Sequence, residues 1–378
     1  MIVINIVIIR SNPVRPDSRV EKEAWTLTKA GHHVHILAWD RDNNHPSLDE
    51  TIDFIGHKIP ITRIGFKAGY SQGFKSLKPF LQFQFAMRKW IRQNKKKIDV
   101  IHACDFDTAF FSFSVARHNH IKFIFDIFDF LYSEPKSLLQ KTVKKAQLRL
   151  VTHSDATIIC TEERKSQIAG AIPKRLVVIH NTPSEEMLDS QKERIINISS
   201  NKPKVAYVGI LQNERMLEKI GHYFSLHPEV EFHIGGFGTL DKYFEELSEK
   251  CGNIFFYGRI PYNETLNLER QCDIMTAIYD PSDENCRNAA PNKFYEGLML
   301  GKPLIMTVGT GMTHVITEND IGVLIEFSEN GFEKGLNQLI ERKKDWKRMS
   351  ETMQGLYWKS YSWGEMEKRL TKLYQSIQ

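Results

Sequence analysis

A lysine and a glutamate lie close together in the last third of the chain, in a segment whose composition predicts a short helix. The segment is Ala289–Pro303 (AAPNKFYEGLMLGKP), in which Pro291 suits the first helical position and Gly301 predicts the end of the helix. Lys293 and Glu296 share one helix face because they are three residues apart. A helix N-terminus with a lysine binds phosphate well, and a carboxylate one turn deeper can accept hydrogen bonds from a ribose diol. The pattern predicts a nucleotide site, but an exposed Lys–Glu pair has the same spacing.

The elements that must position this segment alternate regularly along the chain. Short β-branched runs are separated by helix-length amphipathic segments, which is typical of parallel sheets covered by helices. In the first half the predicted strands are Val3–Ile9, Val34–Ala38, Val100–His102, Phe123–Asp126, Ala156–Cys160 and Leu176–His180. In the second half they are Val205–Val208, Glu231–Ile234, Ile254–Tyr257, Ile274–Ile278, Leu304–Thr307 and Val323–Ile325. The predicted helices include Ser18–Lys29, Leu77–Asn94, Ser137–Val151 and Trp363–Ile377.

The alternation pauses once, which indicates two domains. Residues 184–203 are polar, weakly periodic and end in a proline, as expected of a connection between domains. The predicted organisation is a Rossmann-like domain at 1–183, a linker at 184–203, a second Rossmann-like domain at 204–360 and a C-terminal helix at 361–378 that can pack back on the first domain. The chain, at 378 residues, is long enough for two such domains.

Composition excludes several classes of protein. Hydrophobic residues make up 41% of the chain and charged residues 26%, as in folded soluble proteins. The net charge of +5 is spread along the chain, which argues against a nucleic-acid partner. The five cysteines are widely spaced without a C-x-x-C pair, so neither a disulfide framework nor a zinc site is expected. Without a signal peptide or an apolar run of about 20 residues, the expected location is the cytoplasm.

The segment around Lys293 resembles the nucleotide-binding signature of the retaining glycosyltransferases of group 1 and family 4. That family has the GT-B fold, in which two Rossmann-like, doubly wound parallel-sheet domains face a cleft. Its signature has two glutamates eight positions apart, and Glu296 matches the second, which binds the donor ribose. Asn288 occupies the first position, which is a departure from the pattern. Asn292 belongs to a P-N-K-x-x-E form that resembles a subset of these enzymes.

Other segments of the second half resemble further donor-binding positions of the family. Gly209 ends the run VAYVGIL, and Arg215 follows where the family places a basic residue that binds the diphosphate. Gly236 lies in IGGFG, where glycines allow a ligand to approach the backbone. Arg259 and Ile260 lie in YGRIP, which matches the turn whose backbone meets the nucleobase. The resemblance therefore implies that the C-terminal half binds a nucleotide sugar with a uracil or guanine base.

The first half resembles the acceptor side of the same family in the segments NPVRPDSRV, DVIHACDFD and FIFDIFDF. The candidates for catalytic contacts are Asp105, Asp126 and Asp129. The candidates for the cleft and the acceptor are Arg15, Arg19 and His102. The third segment lacks the histidine that relatives often carry. The D-x-D of Asp105 and Asp107 is interpreted as an accidental match to the metal motif of another fold, so neither a metal nor a cofactor is expected.

The resemblance implies transfer of a sugar from a UDP- or GDP-sugar to a hydroxyl of a glycan or a lipid-linked acceptor, with retention of configuration. Two alternatives stay open: a GT-B-like nucleotide-sugar epimerase, and a non-catalytic partner subunit, which Asn288 and the missing histidine would suit. A dehydrogenase is disfavoured because no G-x-G-x-x-G follows the first strand. The segment Phe66–Lys97 mixes aromatic and basic residues, as in a helix on the inner face of a membrane or in an ordinary solvated helix.

Overall fold

The computed structural model describes residues 2–69, 76–186 and 198–377, and the chain forms two compact units. The first unit is Met1–His180 together with Met366–Gln378, and the second is Asn181–Glu365. The C-terminal helix is thus grouped with the first unit. More than half of the proposed linker, residues 187–197, lies outside the described residues.

The first unit is built on one eight-stranded sheet. Its strands are β1 (Asn5–Arg10), β2 (His33–Asp40), β3 (His45–Phe54), β4 (His57–Gly65), β5 (Val100–Cys104), β6 (Lys122–Ile127), β7 (Ala156–Ile159) and β8 (Leu176–Val178). They lie in the order β3-β4-β2-β1-β5-β6-β7-β8. All neighbours pair in parallel except β3 and β4, which form an antiparallel hairpin. This hairpin is not evident from the sequence, because its edge strand is mostly polar and exposed and has no buried β-branched run.

Helices cover both faces of this sheet. They are α1 (Ser18–Lys29), α2 (Leu77–Asn94), α3 (Asp105–His118), α4 (Leu138–His153) and the C-terminal helix (Trp363–Ile377). The predicted bounds of α1, α2 and the C-terminal helix agree with the structure. The sequence analysis missed α3, whose run of phenylalanines hides a helical period. Fully buried residues of β5 and β6 such as Ile101, Phe123 and Phe125 form the core with α2 and α3.

The second unit has a six-stranded parallel sheet. Its strands are β9 (Lys204–Leu211), β10 (Glu231–Gly238), β11 (Ile254–Phe256), β12 (Ile274–Ala277), β13 (Leu304–Thr307) and β14 (Gly322–Ile325). Its helices are α5 (Leu217–Leu226), α6 (Asp241–Lys250), α7 (Tyr262–Gln271), α8 (Glu284–Arg287), α9 (Asn292–Leu300), α10 (Thr313–Asn319), α11 (Glu329–Glu341) and α12 (Trp346–Leu356).

The strand order of this second sheet, β11-β10-β9-β12-β13-β14, is the doubly wound order. The winding direction reverses between β9 and β12, and ligands of such sheets bind beyond the carboxyl ends of the strands at this point. The segments that follow β9, β10 and β12 are therefore the places where a site is expected. Within the described ranges, no helix is both long enough and apolar enough to cross a bilayer.

Candidate functional site

Helix α9 carries Lys293 and Glu296 and begins one residue later than the sequence predicts. Pro291 precedes the first helical residue, and Gly301 ends the helix in the left-handed region with a φ of 64°. Lys293 is 9% exposed and Glu296 is 3% exposed, because α9 is buried along nearly its whole length. The alternative of a solvated Lys–Glu pair is therefore wrong, and the charged face of α9 points into the unit.

The carboxyl ends of β9 and β10 approach each other closely at two glycines. Gly209 pairs in register with Gly236. A Cβ built on Gly236 would lie 1.8 Å from the carbonyl oxygen of Gly209, and the φ of Gly236 is 133°. Any side chain at Gly236 would force the two strands apart. The sheet consequently presents bare backbone next to the point where its winding direction reverses.

The ammonium group of Lys293 lies against this backbone. A Cβ built on Gly209 would be 2.6 Å from Nζ of Lys293, and Nζ lies 4.6 Å from the ring centroid of Tyr207. Burial by itself would lower the pKa of Lys293. The neighbouring tyrosines and the carboxylates of Glu296 and Glu269 together have a larger, opposite effect, so the pKa lies above its ordinary value. Lys293 therefore carries a positive charge at neutral pH, inside the protein.

A second cation, Arg215, stands in the short turn that follows β9. Its Cζ lies 3.8 Å from the ring centroid of Tyr279, which fixes the guanidinium by a cation–π contact. Nη1 of Arg215 is buried and has no hydrogen-bond partner within the part of the chain that the structure describes. A buried donor without an acceptor is costly. Since a diphosphate supplies acceptors and negative charge, Arg215 and Lys293 form an arrangement suited to binding one.

Two buried carboxylates lie beside Lys293. The hydroxyl of Tyr262 is hydrogen-bonded to Glu296. Burial is the main reason that the pKa of Tyr262 is raised well above its ordinary value, and the charge of Glu296 raises it as well. Glu269 is fully buried on α7, and neither of its carboxyl oxygens has a hydrogen-bond partner among the described residues. Burial and the charge of Glu296 raise the pKa of Glu269 well above its usual range, against the opposing effect of Lys293.

Four of these residues are not among the predicted site residues: Tyr207, Tyr262, Glu269 and Tyr279. The sequence indicates one of them: Tyr207 is two residues before Gly209 on β9, so both residues face the same side of the sheet. Tyr262 and Glu269 are seven residues apart on α7 and share its buried face. In the sequence, nothing distinguishes that face from the core-facing side of an ordinary amphipathic helix.

The other predicted donor residues lie at the margin of this cluster. Arg259 is exposed, and its Cζ lies 4.6 Å from the ring centroid of Phe237 at the end of β10. The side chain of Ile260 packs on Gly235. The backbone N–H of the next residue, Gly236, donates a hydrogen bond to the carbonyl oxygen of Gly258. The YGRIP turn therefore lies next to the bare backbone. The predicted residue Asn288 ends α8, and the predicted residue Asn292 is exposed in the first turn of α9.

In the first unit, the predicted cleft residues Arg19 and His102 and the predicted catalytic residue Asp126 form a buried charged cluster. Asp126 is fully buried; it accepts a hydrogen bond of 2.9 Å from Nη2 of Arg19 and lies 3.1 Å from Nε2 of His102. Nδ1 of His102 is 2.9 Å from the hydroxyl of Tyr374 on the C-terminal helix. Burial raises the pKa of Asp126, but Arg19 and His102 lower it below its usual range. These side chains hold β5, β6, α1 and the C-terminal helix together, so we assign them a structural role.

The predicted residue Asp105 lies at the first position of α3, with a positive φ of 66°. Its Oδ1 accepts hydrogen bonds from the backbone N–H groups of Phe128 (2.9 Å) and Asp129 (3.0 Å). Its Oδ2 is paired with Arg10, a residue that the sequence analysis missed although it ends the first strand. Burial raises the pKa of Asp105 to about 6, against the opposing effect of Arg10. Asp105 therefore joins the ends of β1 and β6.

The remaining predicted residues of the first unit are more exposed. Asp129 has a side chain that is 61% exposed and pairs with Arg164 at 3.0 Å. Arg15 is 44% exposed and pairs with Glu50 at 2.8 Å. Of the three candidate catalytic aspartates, Asp129 thus presents its carboxylate most openly to solvent. The backbone N–H of Asp129 donates a hydrogen bond to Asp105, so these two aspartates lie together. Arg15 lies instead beside the antiparallel hairpin, where it pairs with Glu50.

Solved structures of similar fold match nearly the whole chain. Sucrose-phosphate synthase from Thermosynechococcus elongatus is 15% identical, with a TM-score of 0.72 over 99% of each chain. The catalytic domain of starch synthase IV from Arabidopsis thaliana is 15% identical, with a TM-score of 0.67 over 100% of this chain and 99% of that chain. HepE from Anabaena is 13% identical, with a TM-score of 0.69 over 99% of this chain and 100% of that chain. The fold is GT-B, as the sequence predicts.

Two protein families match the sequence in turn. Residues 189–355 match the family described as glycosyl transferases group 1, and residues 19–182 match the family described as glycosyltransferase family 4. No match was found among curated proteins. The chain therefore has a family 4 glycosyltransferase domain followed by a group 1 glycosyltransferase domain, and it is a glycosyltransferase enzyme. The predicted family and enzyme class are confirmed.

Proposed function

We propose that this enzyme transfers a sugar from a UDP- or GDP-sugar to a hydroxyl group of a glycan or a lipid-linked acceptor, with retention of configuration. The observation that carries the donor part is the cluster at the carboxyl end of β9. There, two cations and a buried carboxylate, Arg215, Lys293 and Glu296, surround backbone that Gly209 leaves uncovered. A nucleoside diphosphate needs this combination: positive charge for the phosphates and a carboxylate for the ribose diol.

The two cations differ in how they are held, which suits two different tasks. Lys293 is almost completely enclosed and rests on Gly209, so it is a fixed point charge. Arg215 stacks on Tyr279, and its planar guanidinium carries several N–H donors of the kind that bind phosphate oxygens. When the bond between the sugar and the diphosphate breaks, negative charge grows on the leaving phosphate. Preorganised cations stabilise that charge in the transition state.

Nucleoside diphosphates occupy similar proteins of this fold. HepE was solved with UDP and glucose and also with UDP-glucose, and starch synthase IV was solved with ADP and acarbose. These complexes support a nucleoside diphosphate sugar as the donor of this chain. Our proposal of a uracil or guanine base comes from the family resemblance.

The acceptor is proposed from the family resemblance and from the first unit. Asp129 is the exposed carboxylate at the carboxyl edge of that sheet, and the side chain of Asp105 fixes its backbone. We assign Asp129 to acceptor contacts and Asp105 to positioning. An acceptor in a glycan or glycolipid would place the enzyme in the cytoplasm or at the inner face of a membrane.

The test is the release of nucleoside diphosphate from a panel of UDP-, GDP- and ADP-sugars, with and without oligosaccharide or polyprenyl-phosphate-linked acceptors. Lys293→Met should lower kcat/KM by about 10- to 150-fold, since one charge-assisted hydrogen bond contributes about 1.5–3 kcal/mol. Lys334→Met, the same change at an exposed lysine of α11, is the matched control and should act like the wild type.

Three outcomes separate the competing functions. Acceptor-dependent release, with the donor anomer preserved in the NMR coupling of the product, would support retaining transfer. An altered sugar formed from the donor alone would support the epimerase. Binding of nucleotide without any turnover on the panel, or equal activity of Lys293→Met and Lys334→Met, would contradict the proposal.

A further inference from the structure

Helix α2 carries an exposed stripe that is apolar at one end and basic at the other. Leu77, Leu81 and Phe85 are 49%, 37% and 69% exposed. Arg88 and Arg92 continue the same stripe. At about 100° per residue, all five side chains lie within an arc of roughly 80°. Burial of α2 against the sheet uses other positions, such as Phe83 and Met87, so covering the sheet does not account for this stripe.

Helix α3 repeats the pattern beside it. Its residues at four-residue spacing are Phe106, Phe110, Ser114 and His118. Phe110 is 47% exposed, and its ring lies 5.3 Å from that of Phe106. The two helices follow the parallel strands β4 and β5 and therefore run in the same direction. Their aromatic ends are consequently adjacent, as the 5.9 Å distance between the rings of Phe80 and Phe111 shows.

The basic ends of the two helices enclose a surface pocket of about 320 Å³. It is lined by Arg88, Arg92, Ser114, Val115, His118 and Asn119. The lining contains two arginines, a histidine and two neutral hydrogen-bonding side chains, and no carboxylate. Nε of Arg88 is buried and has no hydrogen-bond partner in the ranges that the structure covers. An anionic ligand such as a phosphate group would complement the positive charge of this lining.

The neighbouring helix α4 has the same character. It contacts α3, begins with Leu138 and Leu139, which are 82% and 74% exposed, and contains four Lys or Arg residues and no Asp or Glu. Residues 77–97 contain seven Lys or Arg residues and no Asp or Glu. Helices α2 and α4 therefore combine exposed apolar side chains with an excess of positive charge. Helix α3 between them adds the exposed Phe110 and carries Asp105 and Asp107 at its start and Arg117 near its end.

We propose that this α2–α4 surface docks on an anionic phospholipid bilayer, with the pocket binding a headgroup phosphate. With the axis of α2 inclined to the membrane, Leu77, Leu81 and Phe85 at its first turns would enter the acyl boundary. Arg88 follows Phe85 by three residues, about 4.5 Å along that axis, and would therefore lie nearer the headgroups. Charge complementarity and the apolar stripe together favour a bilayer over a soluble phosphate compound or an acidic protein. The proposal is independent of the donor site.

The test is co-sedimentation of the full chain with vesicles of phosphatidylcholine alone and of phosphatidylcholine with 30% phosphatidylglycerol, in the absence of any nucleotide sugar. The protein should bind the anionic vesicles and should be released by high salt, because salt screens the attraction. Each basic residue near such a surface contributes about 1 kcal/mol, or about fivefold in partitioning. The double variant Arg88→Gln with Arg92→Gln should therefore bind roughly 30-fold more weakly.

The matched control removes two exposed lysines from the second unit, Lys242→Gln with Lys250→Gln, and should bind like the wild type. Phe85→Ser should also weaken binding, without loss of charge and with an unchanged melting temperature, since Phe85 is exposed. Equal binding to neutral and anionic vesicles, or the same loss in both double variants, would overturn the proposal. So would stabilisation of the protein by inorganic phosphate without any binding to vesicles.

Discussion

The substitution Gly209→Ala tests whether the backbone of β9 positions Lys293. The added Cβ would lie 2.6 Å from Nζ of Lys293, whereas ordinary contacts are 3.4 Å or more, so the ammonium must move by about 0.8 Å. A hydrogen bond of about 2.9 Å to a phosphate oxygen would lengthen beyond 3.5 Å and be lost. A charge-assisted hydrogen bond contributes roughly 1.5–3 kcal/mol, so the dissociation constant for the nucleoside diphosphate should rise about 10- to 150-fold.

The assay is isothermal titration with the best-binding nucleoside diphosphate, performed well below the melting midpoint. That precaution matters because the φ of 157° at Gly209 disfavours a side chain and will lower stability. A double-mutant cycle with Lys293→Met isolates the coupling, since Gly209→Ala should cost little affinity once the ammonium is gone. Gly252→Ala, where a Cβ meets nothing within 4 Å, is the control. An unchanged affinity, or an equal loss in the Lys293→Met background, would refute the reasoning.

Three further predictions concern stability. Asp126→Asn removes one of the two buried carboxylates that Arg19 pairs with and leaves it Glu23, so it should destabilise by about 1.5–3 kcal/mol, a fall of several degrees in melting temperature. The exposed Asp129→Asn should change stability by less than about 1 kcal/mol, and similar melting curves for the two variants would contradict these roles. Glu269→Gln should gain stability relative to the wild type as pH rises above the ordinary carboxyl pKa, because the folded wild type holds its Glu269 proton more tightly than the unfolded chain and loses stability as that proton is released. A stability difference independent of pH would argue against this prediction. Gly236→Ala should greatly reduce soluble yield, since its Cβ would overlap the Gly209 carbonyl, and normal folding would show that the strands separate easily.

Much of the fold can be predicted because buried parallel strands and their covering helices have strong local signals. The runs around β1, β5, β6 and β9 are continuous and β-branched, and α1 and α2 have clear periods and end signals. The hairpin of β3 and β4 lacks these signals, since β3 is an edge strand with mostly exposed polar residues. The helix α3 was missed because its phenylalanines face both the core and the solvent, which removes the amphipathic pattern.

The donor site was predicted better than the acceptor side for a physical reason. Lys293 and Glu296 lie on one helix, so their spacing alone brings them together. The partners that define the environment of Lys293, Tyr207 and Glu269, come from other elements and meet it only through the fold. In the first unit, an aspartate at the end of a strand looks the same in the sequence whether it is buried with an arginine, as Asp126 is, or exposed, as Asp129 is.

The central claim is that the carboxyl end of β9 binds the diphosphate and ribose of a nucleotide sugar. The most direct measurement is the thermal stabilisation of the wild type and of Glu296→Gln by UDP, GDP, ADP, CMP and dTDP. Ligand at 100 times its dissociation constant stabilises the folded state by about 2.7 kcal/mol, which shifts the midpoint by several degrees. We predict that UDP or GDP stabilises the wild type and that Glu296→Gln loses most of this shift. If no nucleotide stabilises the wild type, or if Glu296→Gln responds equally, the claim is contradicted.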